Sequence, residues 1–588
     1  MATTLVIIFS ILSASATAAN NELYDGVSDG GRSDNPGVKL RVTQKGLDYL
    51  DSILLYEMNH IIPRLHVDDI SHSSNGGHLR VTNARVINYK PPTSQSLKLS
   101  PPDRIIWSTS GINIALKGHV QGSYGRISEQ GDAEVYANNV NLRIGIEPTR
   151  QDNGQFGAET KSCDADVGGL DFNIYNTGLL GRLLQSNKGA IISRLKPKIG
   201  EHMCRHVTKM IDQAANGQLA SIPTKMPLNK TSETMFSQME EHGGSSHGGN
   251  KQRGNSNKHT NTHSKSHGGK SKNSDSFFDL PDDSASNDKS AEVRRQLTKN
   301  ITKHLTFDYS NLEDPSVQSR YVETYNKGEI SYHGEGGTPF SPADMHEDSI
   351  KTDRMIYGLA SDYVANSMLY NAHVHDLLKT RISGDETPEF KSHLKTTCDD
   401  DGSPFDFCLG TIIPEMQDSF PDSQGEINFE TTRAPALLFR KDGTVNLLGQ
   451  GLVTLIATKG SQRKTMAKAD IDMVAKAKLF IDSDRIKGNC TFDKYEVTMR
   501  ENNLKGFGPA RQKEFTRSTK TMFEILVNAY LKNGLRLPSM KAAKLKNAKL
   551  NVYDRTARID SDVEADKEAL TLMAVKVIQK HGGRVDGY

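Results

Sequence analysis

The chain has 588 residues, more than one hydrophobic core usually serves, so two domains with connecting segments are expected. Apolar residues make up 35%, enough for cores but low for a fully packed chain, which points to a sizeable polar stretch. A formal net charge of +2, with 19 histidines that cluster rather than spread, excludes a general binder of nucleic acid or anionic surfaces.

Met1–Ala19 reads as a secretory signal, with the apolar run Leu5–Leu12 followed by small residues ending in Ala16-Thr17-Ala18. That run is too short to span a bilayer, and no later segment has 18 consecutive apolar residues, so a secreted, extracellular chain without a transmembrane anchor is expected. Secretion favours disulfides for the five cysteines, and it makes the sequon residues Asn229, Asn300 and Asn489 glycosylation candidates.

A first domain is predicted over residues 36–228. Leu47, Leu50, Leu54, Met58 and Ile61 fall at helical spacing after Thr43, until Pro63 stops the run. Strands with period-two alternation follow, the clearest at Ile112/Ile114/Leu116 and Leu142/Ile144/Ile146. A second helical region runs from Leu179 to Met210, carrying Leu180, Leu183, Leu184, Ile191, Leu195, Met203 and Val207, with Pro197 expected to kink or divide it. Residues 229–299 are rich in Ser, Gly, His, Asn and Lys, and cannot bury enough apolar surface to offset the entropy of ordering, so a disordered linker is expected.

The second domain, residues 300–588, repeats the order helix, antiparallel strands, helix. Ser361–Asn371, which includes Met368, is helix-like. Alternation from Ile471 to Ile481 marks a strand, and Met522, Ile525, Leu526, Ala529 and Tyr530 form a helical stripe before Asn533-Gly534. No residue-level repeat links the halves.

Several segments carry a resemblance. The opening Val38-Lys39-Leu40-Arg41-Val42-Thr43-Gln44-Lys45-Gly46-Leu47-Asp48-Tyr49, the segments Met355–Tyr363 and Leu409–Glu415, and the placement of Cys163 and Cys204 are similar to the family of bactericidal permeability-increasing protein, lipopolysaccharide-binding protein and the plasma lipid-transfer proteins. The resemblance implies an α+β fold: an elongated boomerang of two twisted antiparallel β-barrels, each packed on long helices and joined by a central sheet. It also implies a Cys163–Cys204 disulfide and one phospholipid in an apolar pocket of each unit. Cys398 and Cys408 flank a polar loop and are expected to pair. Cys490 is then left over inside a sequon, open to glycosylation beside it or to an intermolecular bond.

Spacing alone favours reading the helix stripes as core; only the resemblance makes Leu47, Leu50, Leu54, Met58, Leu183, Ile191, Met203, Met368, Met522, Ile525 and Leu526 lipid-binding candidates. His373-Val374-His375-Asp376 has the residue types of a metal tract but no partner motif, so a surface helix end is expected there. The linker histidines, among them His242, His247, His259, His263 and His267, have the chemistry to bind zinc or copper loosely, but a solvated spacer is the expected role, and no metal site or cofactor is expected. Relatives that bind lipopolysaccharide carry a basic hairpin at the tip of the first barrel; the matching segment His119–Ser128 has one fixed positive charge, Arg126. The expected function is therefore a secreted, non-enzymatic phospholipid carrier that meets membrane or micelle surfaces transiently, with lipopolysaccharide binding as the alternative and no nucleic-acid partner.

Overall fold

The computed structural model describes Val27 and residues 31–67, 69–74, 77–124, 127–209, 211–212, 216, 223–228, 303–385, 391–398, 408–537, 543–580 and 583–587. The leading segment Met1–Ala19 and the polar stretch 229–299, with Asn229, lie outside these residues, as do Asn300 and Arg126.

In the first half, β1 (Val38–Thr43) runs straight into α1 (Gln44–Ile61). Thr43 makes the junction: its hydroxyl oxygen accepts the Gly46 N–H at 3.3 Å, capping the helix, and donates to the Arg354 carbonyl at 2.6 Å. Pro63 ends the apolar stripe in a 3-10 turn, Ile62–Arg64, as the sequence predicts. The long strands β2 (Gly77–Lys90), β3 (Arg104–Tyr124), β4 (Ile127–Arg150) and β5 (Phe156–Tyr175) then pair antiparallel in order. Leu65–Val67, Arg584–Val585, Ile70–Ser74 and Ser94–Ser100 complete an eight-stranded sheet.

The following helix divides at Asn187, into α2 (Leu179–Ser186) and α3 (Lys188–Lys209), rather than at Pro197, which α3 accommodates. Ser and Asn side chains bond locally and compete with helical pairing; here the Asn187 amide reaches the Ser186 hydroxyl at 3.3 Å.

The second half supplies β6 (Tyr321–Asn326), β7 (Ile356–Ser361) and α4 (Tyr363–Val374). The predicted helix start at Ser361 is thus two residues early, because Ser361 is still paired in the sheet with Thr556. Four long strands follow, β8 (Gln424–Phe439), β9 (Val445–Lys459), β10 (Gln462–Asp482) and β11 (Arg485–Asn502), then α5 (Pro509–Asn533), β12 (Ala543–Tyr553), β13 (Thr556–Ala565) and α6 (Lys567–Lys580). With Thr380–Ser383 and Leu535–Arg536, β8 to β11 form a six-stranded sheet. Both large sheets are open paths of strands among the described residues, and neither closes into a hydrogen-bonded ring.

The two halves interlock. β1 lies inside a second six-stranded sheet, between β6 and β7 and beyond them β13 and β12. In return, α6 packs on α1 and Arg584–Val585 pairs with Leu65–Val67, so the end of the chain joins the first half. Charge fixes the register of the shared sheet. Buried Arg41 bonds Glu323 at 2.7 Å and Glu347 at 2.8 Å, and fully buried Arg558 bonds Asp560 at 2.7 Å and also reaches Glu347. Each buried charge has an opposite partner, which makes any slipped pairing expensive.

The outer edges of the two large sheets are covered by one repeated device. Beyond α3, Asn216 is bonded in both directions to the backbone of Ala158 in β5, its amide also meets the Asp212 carbonyl, and Asp212 accepts the Thr160 N–H. In α5, Asn528 does the same with Cys490 of β11 and the Glu524 carbonyl, while Glu524 accepts the Phe492 N–H. An acid and an asparagine four residues later thus occupy the backbone groups that an edge strand would otherwise offer to another chain.

Candidate functional site: the apolar face of the first sheet

In β4, Val140, Leu142 and Ile144 are 2%, 7% and 0% exposed, because alternate residues of a strand share one face. Cross-strand pairing continues that face. Ile144 lies opposite Trp107 and Cys163, Leu142 opposite Thr109 and Ala165, and Trp107 opposite Leu97. Two helices cover it from opposite sides. α1 is tied to the Ser94–Ser100 strand through Gln95, whose amide meets the Asp51 carboxylate at 2.9 Å, and through Gln44, which bonds Leu97 and Leu99. α3 is tied to β5 by the Cys163–Cys204 disulfide and by Gly200, where a Cβ would stand 2.4 Å from the Ala165 carbonyl oxygen. Only glycine allows so close an approach.

The apolar stripes of the two helices are themselves only partly buried. Leu47 and Ile61, at the two ends of the α1 stripe, are buried; between them Leu50 is 44% exposed, and Leu54 and Met58 are half-buried. On α3, Ile191 and Met203 are half-buried and Leu195 is exposed. The sheet beneath also holds polar atoms without protein partners: the Trp107 indole Nε1, the Thr109 hydroxyl and the Gln95 carbonyl oxygen are buried and unbonded. Such atoms cost about 1–3 kcal/mol each in a filled protein interior. Sequence reading found the helix stripes but missed this trio, although Trp107 is the sole tryptophan and alternates with Ile105 and Thr109.

The second half is different. Met368, expected to face lipid, is fully buried within a continuous core of side chains that includes Leu369, Leu437, Met473 and Phe492. Helical spacing shows that a face is apolar but not whether protein or ligand covers it. The side chains of Leu183, Met522, Ile525 and Leu526 lie outside the described residues.

The remaining cysteine and histidine expectations resolve individually. Cys398 and Cys408 form the second disulfide. Cys490 is buried, and burial pushes its thiol up to about 12, so this is not an accessible intermolecular thiol. Asn489 and Thr491, on either side, are exposed on the opposite face of β11. His373 Nδ1 meets the Thr431 hydroxyl at 2.6 Å and His375 stacks on Tyr332 at 3.9 Å between ring centres, so the two imidazoles have separate partners. At the β3–β4 tip the strands stay paired through Tyr124 and Ile127; further down the same hairpin Lys117 pairs with Glu134 at 3.0 Å and His119 Nδ1 lies 3.3 Å from the Asp132 carboxylate.

Two family profiles match the sequence, the LBP / BPI / CETP family N-terminal domain over residues 46–214 and the C-terminal domain of the same family over 299–565. Among similar proteins, bactericidal permeability-increasing protein of Sebastes schlegelii is 20% identical over 90% of this chain and 95% of its own length. Lipopolysaccharide-binding protein of Homo sapiens is 19% identical over 88% and 92%. A crystal structure of lipopolysaccharide binding protein aligns over 90% of this chain and 99% of its own, with 17% identity and a TM-score of 0.44.

Proposed function

The chain belongs to the LBP / BPI / CETP family, and from that premise we propose that it is an extracellular, non-catalytic lipid-binding protein that holds phospholipid against the apolar face of the first sheet, beneath α1 and α3. The observation that carries this reading is the apolar surface left on the two helices: Leu50 is exposed, and Leu54, Met58, Ile191 and Met203 are half-buried, beside a sheet face that holds buried polar atoms without protein partners. Acyl chains would cover that apolar surface, and the unbonded groups of Trp107, Thr109 and Gln95 would meet ester or headgroup oxygens and hydroxyls. Two chains with about thirty methylenes gain on the order of 20 kcal/mol on leaving water. A bound phospholipid therefore exchanges at a membrane or micelle surface and not through free solution. Closure of the large sheets into two barrels of a boomerang, with a second lipid in the second half, is the finer form of this proposal.

Export is supported by the leading apolar segment and the two disulfides. Among the described residues no helix is long and apolar enough to cross a membrane. Lipopolysaccharide binding is the second reading, favoured by what the relatives' names say they bind. Against it, Lys117 in the β3–β4 hairpin is already paired with Glu134, and a phosphate site needs unneutralised cations.

Native mass spectrometry of the purified chain tests the proposal. Retained mass that tandem dissociation releases as phospholipid supports it, release of lipid A species supports the second reading, and a bare polypeptide mass contradicts both.

A further inference from the structure

On α3, beside the disulfide but facing solvent, His202 and His206 bring their Nε2 atoms to 2.8 Å across one helical turn. We propose that these two imidazoles form a surface site for a divalent transition-metal ion, Cu2+ in preference to Zn2+, with water completing the coordination. The proposal stands on geometry independent of the lipid face.

Residues four apart lie one above the other on a helix, so i and i+4 histidines can offer two nitrogens to one ion. With metal–nitrogen bonds of about 2.0–2.1 Å, two cis ligands at a right angle stand about 2.9 Å apart, and tetrahedral ones about 3.3 Å. The 2.8 Å separation, that of a hydrogen bond between the two rings, brings both nitrogens within reach of one ion, and divalent affinities rise to a maximum at copper. The helix is held where the ligands need it, because Cys204, between the two histidines, is locked to Cys163 of β5. Among the described residues no third His, Cys, Asp or Glu joins them, which leaves the other positions to solvent.

Arg205 adds a consequence. Its guanidinium faces His202 Nδ1 at 3.4 Å, so that nitrogen acts as an acceptor and the proton sits on Nε2. Coordination through Nε2 sends this proton to Nδ1, where it meets a donor instead of an acceptor. Arg205 therefore opposes metal binding, and Arg205→Gln should strengthen it.

The test uses the full chain, stripped with chelator, titrated with CuCl2 and treated with diethylpyrocarbonate, with each histidine read by peptide mass spectrometry. This resolves the site from the many other histidines. The expected result is joint protection of His202 and His206 as the first equivalent of copper is added, loss of His202 protection in His206→Ala, and protection at lower copper in Arg205→Gln. The proposal is overturned if neither residue is protected while other histidines are, or if His202 protection is unchanged in His206→Ala. Circular dichroism and an intact Cys163–Cys204 link verify that each variant is folded.

Discussion

Replacing Cys163 and Cys204 together by alanine should loosen the first half selectively. The bridge closes a loop with a sequence separation of 41, which in the chain-entropy treatment is worth about 4 kcal/mol; Cys398–Cys408, with a separation of 10, is worth about 2.7 kcal/mol. The first bridge also joins α3 to the strand opposite Ile144, so its loss frees one of the two helices that cover the apolar face. Because Trp107 is the sole tryptophan and lies on that face, its fluorescence reports the first half without signal from the second. With a denaturant slope of about 2.5 kcal/mol per molar, the urea midpoint seen by Trp107 should fall by roughly 1.5 M. The Cys398→Ala/Cys408→Ala variant should leave the Trp107 midpoint almost where it was. Equal shifts in the two variants, or a shift under about 0.3 M in the first, would refute the assignment of α3 as a cover held by this bridge.

Removing one edge cap should act locally: Asn528→Ala leaves the Cys490 N–H and carbonyl without partners, at a cost of about 1–3 kcal/mol, and amide exchange at Cys490 should accelerate more than at Phe492, which Glu524 still holds. Unchanged exchange at Cys490 would show that the cap carries no stability. Acid should expose another pair: bonds from Arg381, and also from Asn428 and Arg463, hold Glu426 down at about 2 against burial. A depressed carboxylate contributes stability that is fully present above the ordinary value near 4.5 and lost as pH falls toward 2. Glu426→Gln should accordingly lower stability at pH 7 and flatten its pH dependence across that window, as read by urea titrations; parallel curves for the two proteins would contradict this.

Much of this architecture was legible in the residues. The α1 stripe up to Pro63 and the alternation in β4 and β10 follow from local spacing, and both disulfides were anticipated, one from the family resemblance and one from the flanked loop. What was not legible depends on distance along the chain. Nothing in Val38–Thr43 says that Arg41 meets Glu323, 282 residues away, or that β1 belongs to a sheet otherwise built by the second half. The acid and asparagine pairs of the edge caps, Asp212/Asn216 and Glu524/Asn528, are invisible as a repeat because only two positions in each half are shared. The apolar helices had the same limit: both segments read as helix with apolar residues, yet Leu54 is half-buried and Met368 fully buried, since periodicity fixes orientation and not what lies opposite.

Cross-linking addresses the lipid assignment most directly. A phospholipid carrying a photoreactive acyl chain, loaded from vesicles and activated in the complex, should attach to peptides containing Leu50, Leu54 or Met58 of α1 and Ile191 or Met203 of α3. Attachment confined to α4 and the core around Met368, or none at all with lipid demonstrably bound, would contradict a binding face beneath α1 and α3.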